Sequence, residues 1–201
     1  MPTRPRKKKQ VREVPLSGLR PVATAADLLA AARRRFLAGE RLSLEELAAE
    51  LQVSRATVYR WAGNAELLAG EVIAGMFADT FRRSVREAKG TGMDRVIDAL
   101  RRGLHYIAAS APYQEFIQRD PEKAMRIVAS KEAPVQSRTI ALHQGLIEEE
   151  MASGALRLPV DAHTMAYALV RICESFLYAD VIAGEKPDLD KAVEILTLML
   201  R

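Results

Sequence analysis

The chain has 201 residues, 49% hydrophobic but only 5% aromatic, which is enough apolar content for one larger or two small buried cores. Many Ala and Leu, with almost no alternating β-branched runs, favour an all-α architecture. The single cysteine, Cys173, excludes an internal disulfide framework. No apolar stretch reaches bilayer-spanning length or forms a signal-peptide core, so a soluble, cytoplasmic chain without a membrane partner is expected.

The net charge of +4 is unevenly placed. Residues 1–22 carry Arg4, Arg6, Lys7, Lys8, Lys9, Arg12 and Arg20 against Glu13, a balance of +6 that leaves −2 for the rest. This basic, Pro-punctuated arm reads either as a phosphate-seeking extension or as a solubilising disordered tail. Thr24, with Asp27 three residues on, opens a first helix running to Ala38, with Leu28, Leu29, Ala32, Phe36 and Leu37 inside and Gly39 as its stop. Arg33, Arg34 and Arg35 crowd its last turns, either near a phosphate backbone or as a solvated charged turn.

The most informative stretch follows, LEELAAELQVSRATVYRW from Leu44 to Trp61. Leu44, Leu47, Ala48 and Leu51 recur at helical spacing, with Ser43 as N-cap and Glu46 completing a capping box. After the brief Gln52-Val53, Ser54 caps a second helix from Arg55 to Arg60 with Val58 turned inward. Two short helices so joined predict a helix-turn-helix, whose second helix enters the DNA major groove. Arg55, Thr57, Tyr59 and Arg60 suit base edges and phosphate oxygens, and Ala56 permits close backbone approach. The alternative is an ordinary helical hairpin with a basic face.

The block from Asp27 to Ile73, namely DLLAAARRRFLAG, SLEELAAELQVS, RATVYRW and AELLAGEVI, resembles the DNA-binding domain of TetR-family transcriptional regulators. The resemblance implies DNA contacts by Ser43 and Thr57, a phosphate contact by Tyr59, and a fourth helix opening at Glu66 to Leu68. The candidate DNA-binding set is Ser43, Ser54, Arg55, Ala56, Thr57, Tyr59, Arg60 and Trp61. The chain departs from the family pattern at four positions. Gln52 replaces the turn glycine, Ala62 a phenylalanine whose space Trp61 could fill, Gly63 a proline, and Ala65 the phosphate-contacting lysine. YRWAGNAELLAGEV is also similar to the branch of the family that governs lactone catabolism and quorum-signal breakdown.

Asn64 then caps a helix running to about Lys89, too long for the head alone, so the domain boundary is placed inside it. The expected division is an arm (1–22), a helix-turn-helix head (23–78) and a helical ligand-binding and dimerisation domain (79–201). Further helices are predicted around Val96 to Ile107, Tyr113 to Ile117, Pro121 to Val128, Val135 to Ala152, Asp161 to Ile182 and Asp188 to Leu200.

In the second domain Gln144 interrupts the apolar stripe of Ile140 and Ile147, and Glu174 that of Val170 and Leu177. A buried polar group requires a partner, either a ligand or a charged neighbour such as Arg171 for Glu174. Tyr167, Arg171, Glu174 and Tyr178 share one stripe, mixing aromatic surface with hydrogen-bonding heads as small-molecule pockets do. With Tyr113, Phe116, Met125, His143 and Gln144 they form the candidate ligand-binding set, and a ligand-binding second domain is what the family resemblance implies. His105, His143 and His163 lack metal-site spacing, so no metal or other cofactor is expected. Leu189, Val193, Ile195, Leu196, Leu198, Met199 and Leu200 make the last helix apolar round much of its circumference. Met165, Leu169, Ile172 and Phe176 give the preceding long helix a second apolar face, and together these predict a two-fold homodimer.

The expected function is a ligand-responsive repressor, binding a double-stranded DNA operator and released by a small-molecule effector. Two alternatives are a recombinase or transposase, and a sequence-indifferent architectural DNA binder. The first needs grouped carboxylates or a nucleophile among arginines, whereas the carboxylates here are dispersed and Glu148-Glu149-Glu150 is a consecutive run that cannot converge. No catalytic residue is assigned.

Overall fold

The computed structural model describes residues 23–129 and 134–199, in which every regular element is an α-helix. The basic arm and Leu200 lie outside the described residues.

The head contains α1 (Ala25–Leu37), α2 (Leu44–Leu51) and α3 (Arg55–Ala62). Thr24 and Asp27 close a reciprocal capping box on α1, the Thr24 N–H donating to the Asp27 carboxylate at 2.8 Å. Ser43 accepts from the Glu46 N–H at 3.3 Å, but the box expected on α2 is left half-made. Arg35 of α1 takes the Glu46 carboxylate instead, a charge-assisted bond that outcompetes a lone backbone N–H. Ser54 caps α3 through the Thr57 N–H at 3.1 Å. Leu28, Ala32, Phe36, Leu44, Leu47 and Val58 bury together as the core of the head. Gln52 sits at φ 57, the left-handed conformation that glycine usually supplies. The Val53 N–H closes that turn on the Ala48 carbonyl at 3.0 Å, a six-to-one bond that ends α2.

α4 (Ala65–Glu87) starts at Asn64, whose side chain accepts from the Leu67 N–H at 2.8 Å. Leu68, Val72 and Ile73 are buried in its first half, whereas Phe77 and Phe81 turn toward the body. It stops at Glu87, short of the expected Lys89, whose N–H goes to the Asp98 carboxylate at 3.0 Å.

The body comprises α5 (Met93–Ala108), α6 (Ala111–Arg119), α7 (Pro121–Ala129), α8 (Val135–Ala152), α9 (Ala162–Leu177), α10 (Ala179–Ala183) and α11 (Leu189–Met199). The single helix expected over 161–182 is broken at Tyr178, at φ −110 and ψ 22. There the buried phenol is anchored to the Tyr113 hydroxyl at 2.6 Å, and the chain turns away as α10.

Two buried carboxylates fasten the turn between α4 and α5. Glu150 of α8 accepts from the Gly92 N–H at 2.5 Å and from Arg95, whose guanidinium is the main reason its carboxyl stays below the usual range. Burial pushes Asp98 upward, yet bonds from Arg101, Arg102 and the Lys89 N–H prevail and hold it at about 2.

Head and body are joined by packing and charge. Phe36 meets Phe116 of α6 with ring centroids 5.4 Å apart. Glu66 pairs with Arg126 at 3.0 Å, Glu71 receives both guanidinium nitrogens of Arg138 at 2.7 and 2.9 Å, and Arg119 donates to the Gly39 carbonyl at 2.6 Å. The three arginines ending α1 are engaged inside the chain, Arg33 with Asp79 at 2.5 Å, Arg34 with Glu50, and Arg35 with Glu46 and Glu50. Such exposed pairs contribute roughly 0–1 kcal/mol each, so they orient more than they stabilise.

Gly92 is buried at φ +59, and a Cβ there would drive into the Ala155 carbonyl oxygen. Gly92→Ala should cost about 2–4 kcal/mol in urea unfolding, through backbone strain and displacement of the Glu150 bond. Gly145, inside α8 with open space around it, should gain up to about 1 kcal/mol on substitution by Ala. Equal effects of the two substitutions would contradict this account of the turn.

Candidate functional site

Two places on the molecule hold the candidate residues. The first is the outer face of α3. Arg55 and Arg60 are exposed, and among the described residues neither forms a salt bridge, in contrast to the arginines of α1. Ala56 is exposed between the start of the helix and its tip, so the backbone there can approach another surface closely. Tyr59 is 46% exposed, and its hydroxyl donates to Glu45 at 3.1 Å, a bond that raises the phenol above its ordinary value. Ser54 and Thr57 share a hydroxyl bond of 2.9 Å at the N-terminus of α3, with Ser43 at the matching end of α2. The positive end of the α3 dipole thus lies beside the exposed Arg55, with the exposed Arg60 in the last turn of the helix, an arrangement that attracts phosphate. Trp61 lies on the other side, half-buried against the core with Leu28 and Leu68 around it. One turn of helix past Val58 brings the indole inward, where it fills space between α1 and α4.

The second place is a cavity of about 60 Å³ among α4, α5, α8 and α9. Its walls are mainly apolar, with Phe77 and Phe81 from α4, Leu100 and Leu104 from α5, Leu142 from α8 and Val170 from α9. Thr80, Thr139, His143, Glu174 and Tyr178 supply the polar atoms. The His143 Nδ1 is 2.8 Å from the Thr139 carbonyl, which only a protonated nitrogen can satisfy, and the ring stands edge-on to Phe81 with centroids 4.8 Å apart. Burial pushes this imidazole below its ordinary value, so the ring is neutral with the lone pair on Nε2. Glu174 Oε2 accepts from Gln136 at 3.2 Å and Arg171 at 2.6 Å. Burial outweighs both partners and raises the carboxyl. Cys173 lines the same space, but burial pushes its thiol up to about 12, so it behaves as a small apolar residue.

His143, Glu174 and Tyr178 of the candidate ligand set therefore come together at the cavity, and Tyr113 touches it through the Tyr178 hydroxyl. The others are placed elsewhere. Phe116 packs against Phe36 at the joint with the head, and Met125 of α7 packs on the core without lining the cavity. Gln144 is satisfied by Glu148 at 2.8 Å and His163 at 3.0 Å. Tyr167 and Arg171 are exposed, because Tyr113 closes over the C-terminal end of their stripe while its N-terminal end faces outward. Sequence reasoning missed Phe77, Thr80 and Phe81. Their helical spacing is that of ordinary core residues, and a threonine between two phenylalanines was the single available signal. Among the described residues no group of His, Cys, Asp and Glu could hold a metal ion, and no helix is long and apolar enough to cross a membrane.

A neutral buried His143 has a definite pH signature. Its folded pKa lies below the unfolded value of roughly 6.5, so its contribution is complete above that pH and is lost as the pH falls through it. Denaturation midpoints should drop as the pH falls below roughly 6.5 toward the lowered folded value, and His143→Asn should flatten that part of the curve. An unchanged slope in the variant would contradict a neutral ring.

Comparison with known proteins agrees with this layout. The family model for the tetracyclin repressor-like C-terminal domain matches residues 91–201, more than half of the chain. Among solved structures, the R. erythropolis transcriptional repressor QsdR from the TetR family is 27% identical. It aligns over 88% of this chain and 93% of its own, with a TM-score of 0.83. The Bacillus subtilis transcriptional regulator FadR, solved in complex with stearoyl-CoA, shares the fold at 14% identity and a TM-score of 0.50, over 86% of this chain and 97% of its own. No curated protein sequence matches the chain. The chain belongs to the TetR family of DNA-binding transcriptional regulators.

Proposed function

We propose that the protein is a homodimeric repressor which grips its operator through α3 and releases it when a small molecule enters the cavity among α4, α5, α8 and α9. The observation that carries this reading is that α4 serves both places. Its first turn leaves α3 through Asn64, and its later turns supply Phe77, Thr80 and Phe81 to the cavity wall. Drug-sized ligands occupy roughly 300–1000 Å³, so an effector must widen a cavity of about 60 Å³ and displace its walls. Arg138 of α8 holds Glu71, and Arg126 of α7 holds Glu66, so movement of the body pulls on the start of α4 and swings α3. The effector shifts the equilibrium only as far as it binds the widened state better than the DNA-bound one.

In this reading Arg55 and Arg60 meet phosphates or base edges, Thr57 contacts a base methyl or a phosphate, and the Tyr59 hydroxyl exchanges Glu45 for a phosphate oxygen. Trp61 supports α3 from behind and makes no contact with DNA. The dimer forms through α9 and α11, where Leu198 and Met199 are 71% and 60% exposed and Met165, Ile172 and Phe176 are half-buried. A two-fold axis there would set the heads to half-sites about 34 to 36 Å apart. Regulators of this family are in general not enzymes, and the dispersed carboxylates favour no strand-cleaving alternative.

Operator binding followed by fluorescence anisotropy tests the DNA face. Tyr59→Phe should weaken binding about fivefold, and Arg55→Ala should lower the log-log salt slope by about one if it contacts a phosphate. Affinity unchanged in both variants would remove α3 from the interface. Leu198→Glu should convert the dimer to a monomer in sedimentation equilibrium and abolish tight binding to paired half-sites, and a dimer that persists would relocate the interface.

A further inference from the structure

We infer that the cavity selects an apolar effector carrying an uncharged hydrogen-bond donor head, such as an amide N–H or a hydroxyl, and rejects carboxylates. The inference rests on the reading of the cavity as the effector site and specifies what that site takes.

Two acceptor atoms carry it. The His143 Nδ1–H is spent on the Thr139 carbonyl, which leaves Nε2 as a lone pair with no partner among the described residues. Glu174 receives Gln136 and Arg171 on the same oxygen, Oε2, and its Oε1 has no partner among the described residues. Among these residues no enclosed side-chain nitrogen or oxygen lacks a hydrogen bond, so both atoms must border open space. The space that both residues line is the cavity.

The remaining polar groups around it do not reverse this preference. Cys173, Tyr178, Thr80 and Thr139 are neutral, the Tyr178 hydroxyl is engaged with Tyr113, the Thr139 hydroxyl donates to the Val135 carbonyl at 2.7 Å, and Thr80 adds one uncharged hydroxyl. Arg171, the cation near Glu174, lies on the exposed side and is held by that carboxylate at 2.6 Å. Among the described residues no Lys or Arg lines the cavity. An anionic head would meet a partly desolvated carboxylate and an imidazole lone pair, with no cation to balance it. A donor head would find two acceptors ready, and its apolar tail would lie against Phe77, Phe81, Leu104 and Leu142.

Three probes with equal tails separate the outcomes, namely octanamide, methyl octanoate and octanoate, at about pH 8 where carboxylic acids are ionised. Calorimetry on the full chain and operator release are read together. Octanamide is expected to bind and release operator, methyl octanoate to bind about tenfold more weakly for want of a donor, and octanoate more weakly still. Glu174→Gln, checked for an unchanged unfolding transition, should narrow the gap between octanoate and octanamide by about tenfold or more. If that variant does not fold, His143→Gln gives the same comparison for the ester, since a side-chain amide can donate to its carbonyl. Octanoate binding as tightly as octanamide and releasing operator would overturn the inference while leaving the effector site in place. If no probe binds or releases operator, the inference fails together with the reading of the cavity beneath it.

Discussion

The structure depends on one helix being shared by two cores. α4 has 23 residues, about 35 Å of unbroken hydrogen-bonded backbone. Leu68, Val72 and Ile73 at one end are buried with the head, while Phe77 and Phe81 at the other line the body cavity. A helix without Pro or a mid-length bulge transmits displacement along its axis instead of absorbing it. Whatever alters the packing of Phe77 or Phe81 therefore alters the seating of the head.

Around that helix the chain separates rigid joints from yielding ones. The turn into α5 is rigid, since buried Glu150 holds the Gly92 N–H and Arg95 while buried Asp98 holds the Lys89 N–H, and both carboxylates stay ionised. The ties from α7 and α8 to the start of α4 are exposed ion pairs, Arg126 with Glu66 and Arg138 with Glu71. Exposed pairs of this kind rearrange at little cost, so they direct a movement without blocking it. The cavity lies between these two kinds of joint, and on its wall the His143 and Glu174 acceptors are held by neighbours on one side alone.

The DNA face shows the same economy of free groups. The arginines of α1 are occupied by Glu46, Glu50 and Asp79, whereas among the described residues Arg55 and Arg60 of α3 are exposed and form no salt bridge. Glu45 holds the exposed Tyr59 phenol at 3.1 Å. Ala65, in place of the family's lysine, removes one cation from the start of α4, so α3 carries a larger part of any phosphate attraction.

Much of this was legible in the residues themselves. The all-α class, the caps at Thr24, Ser54 and Asn64 and the shared fourth helix follow from local rules, because caps depend on neighbours within a few residues, whereas the left-handed turn at Gln52 was implied only by the family resemblance. What the linear chain could not decide was which polar groups converge. Tyr167 and Tyr178 occupy one helical stripe, yet one is exposed and the other buried, since α6 brings Tyr113 over one end alone. Gln144 and Glu174 both interrupt apolar stripes, but His163 and Glu148 satisfy the first at the surface while the second borders the cavity. Periodicity places a residue on a face of its own helix, and only the packing of other helices determines whether that face meets solvent, core or open space.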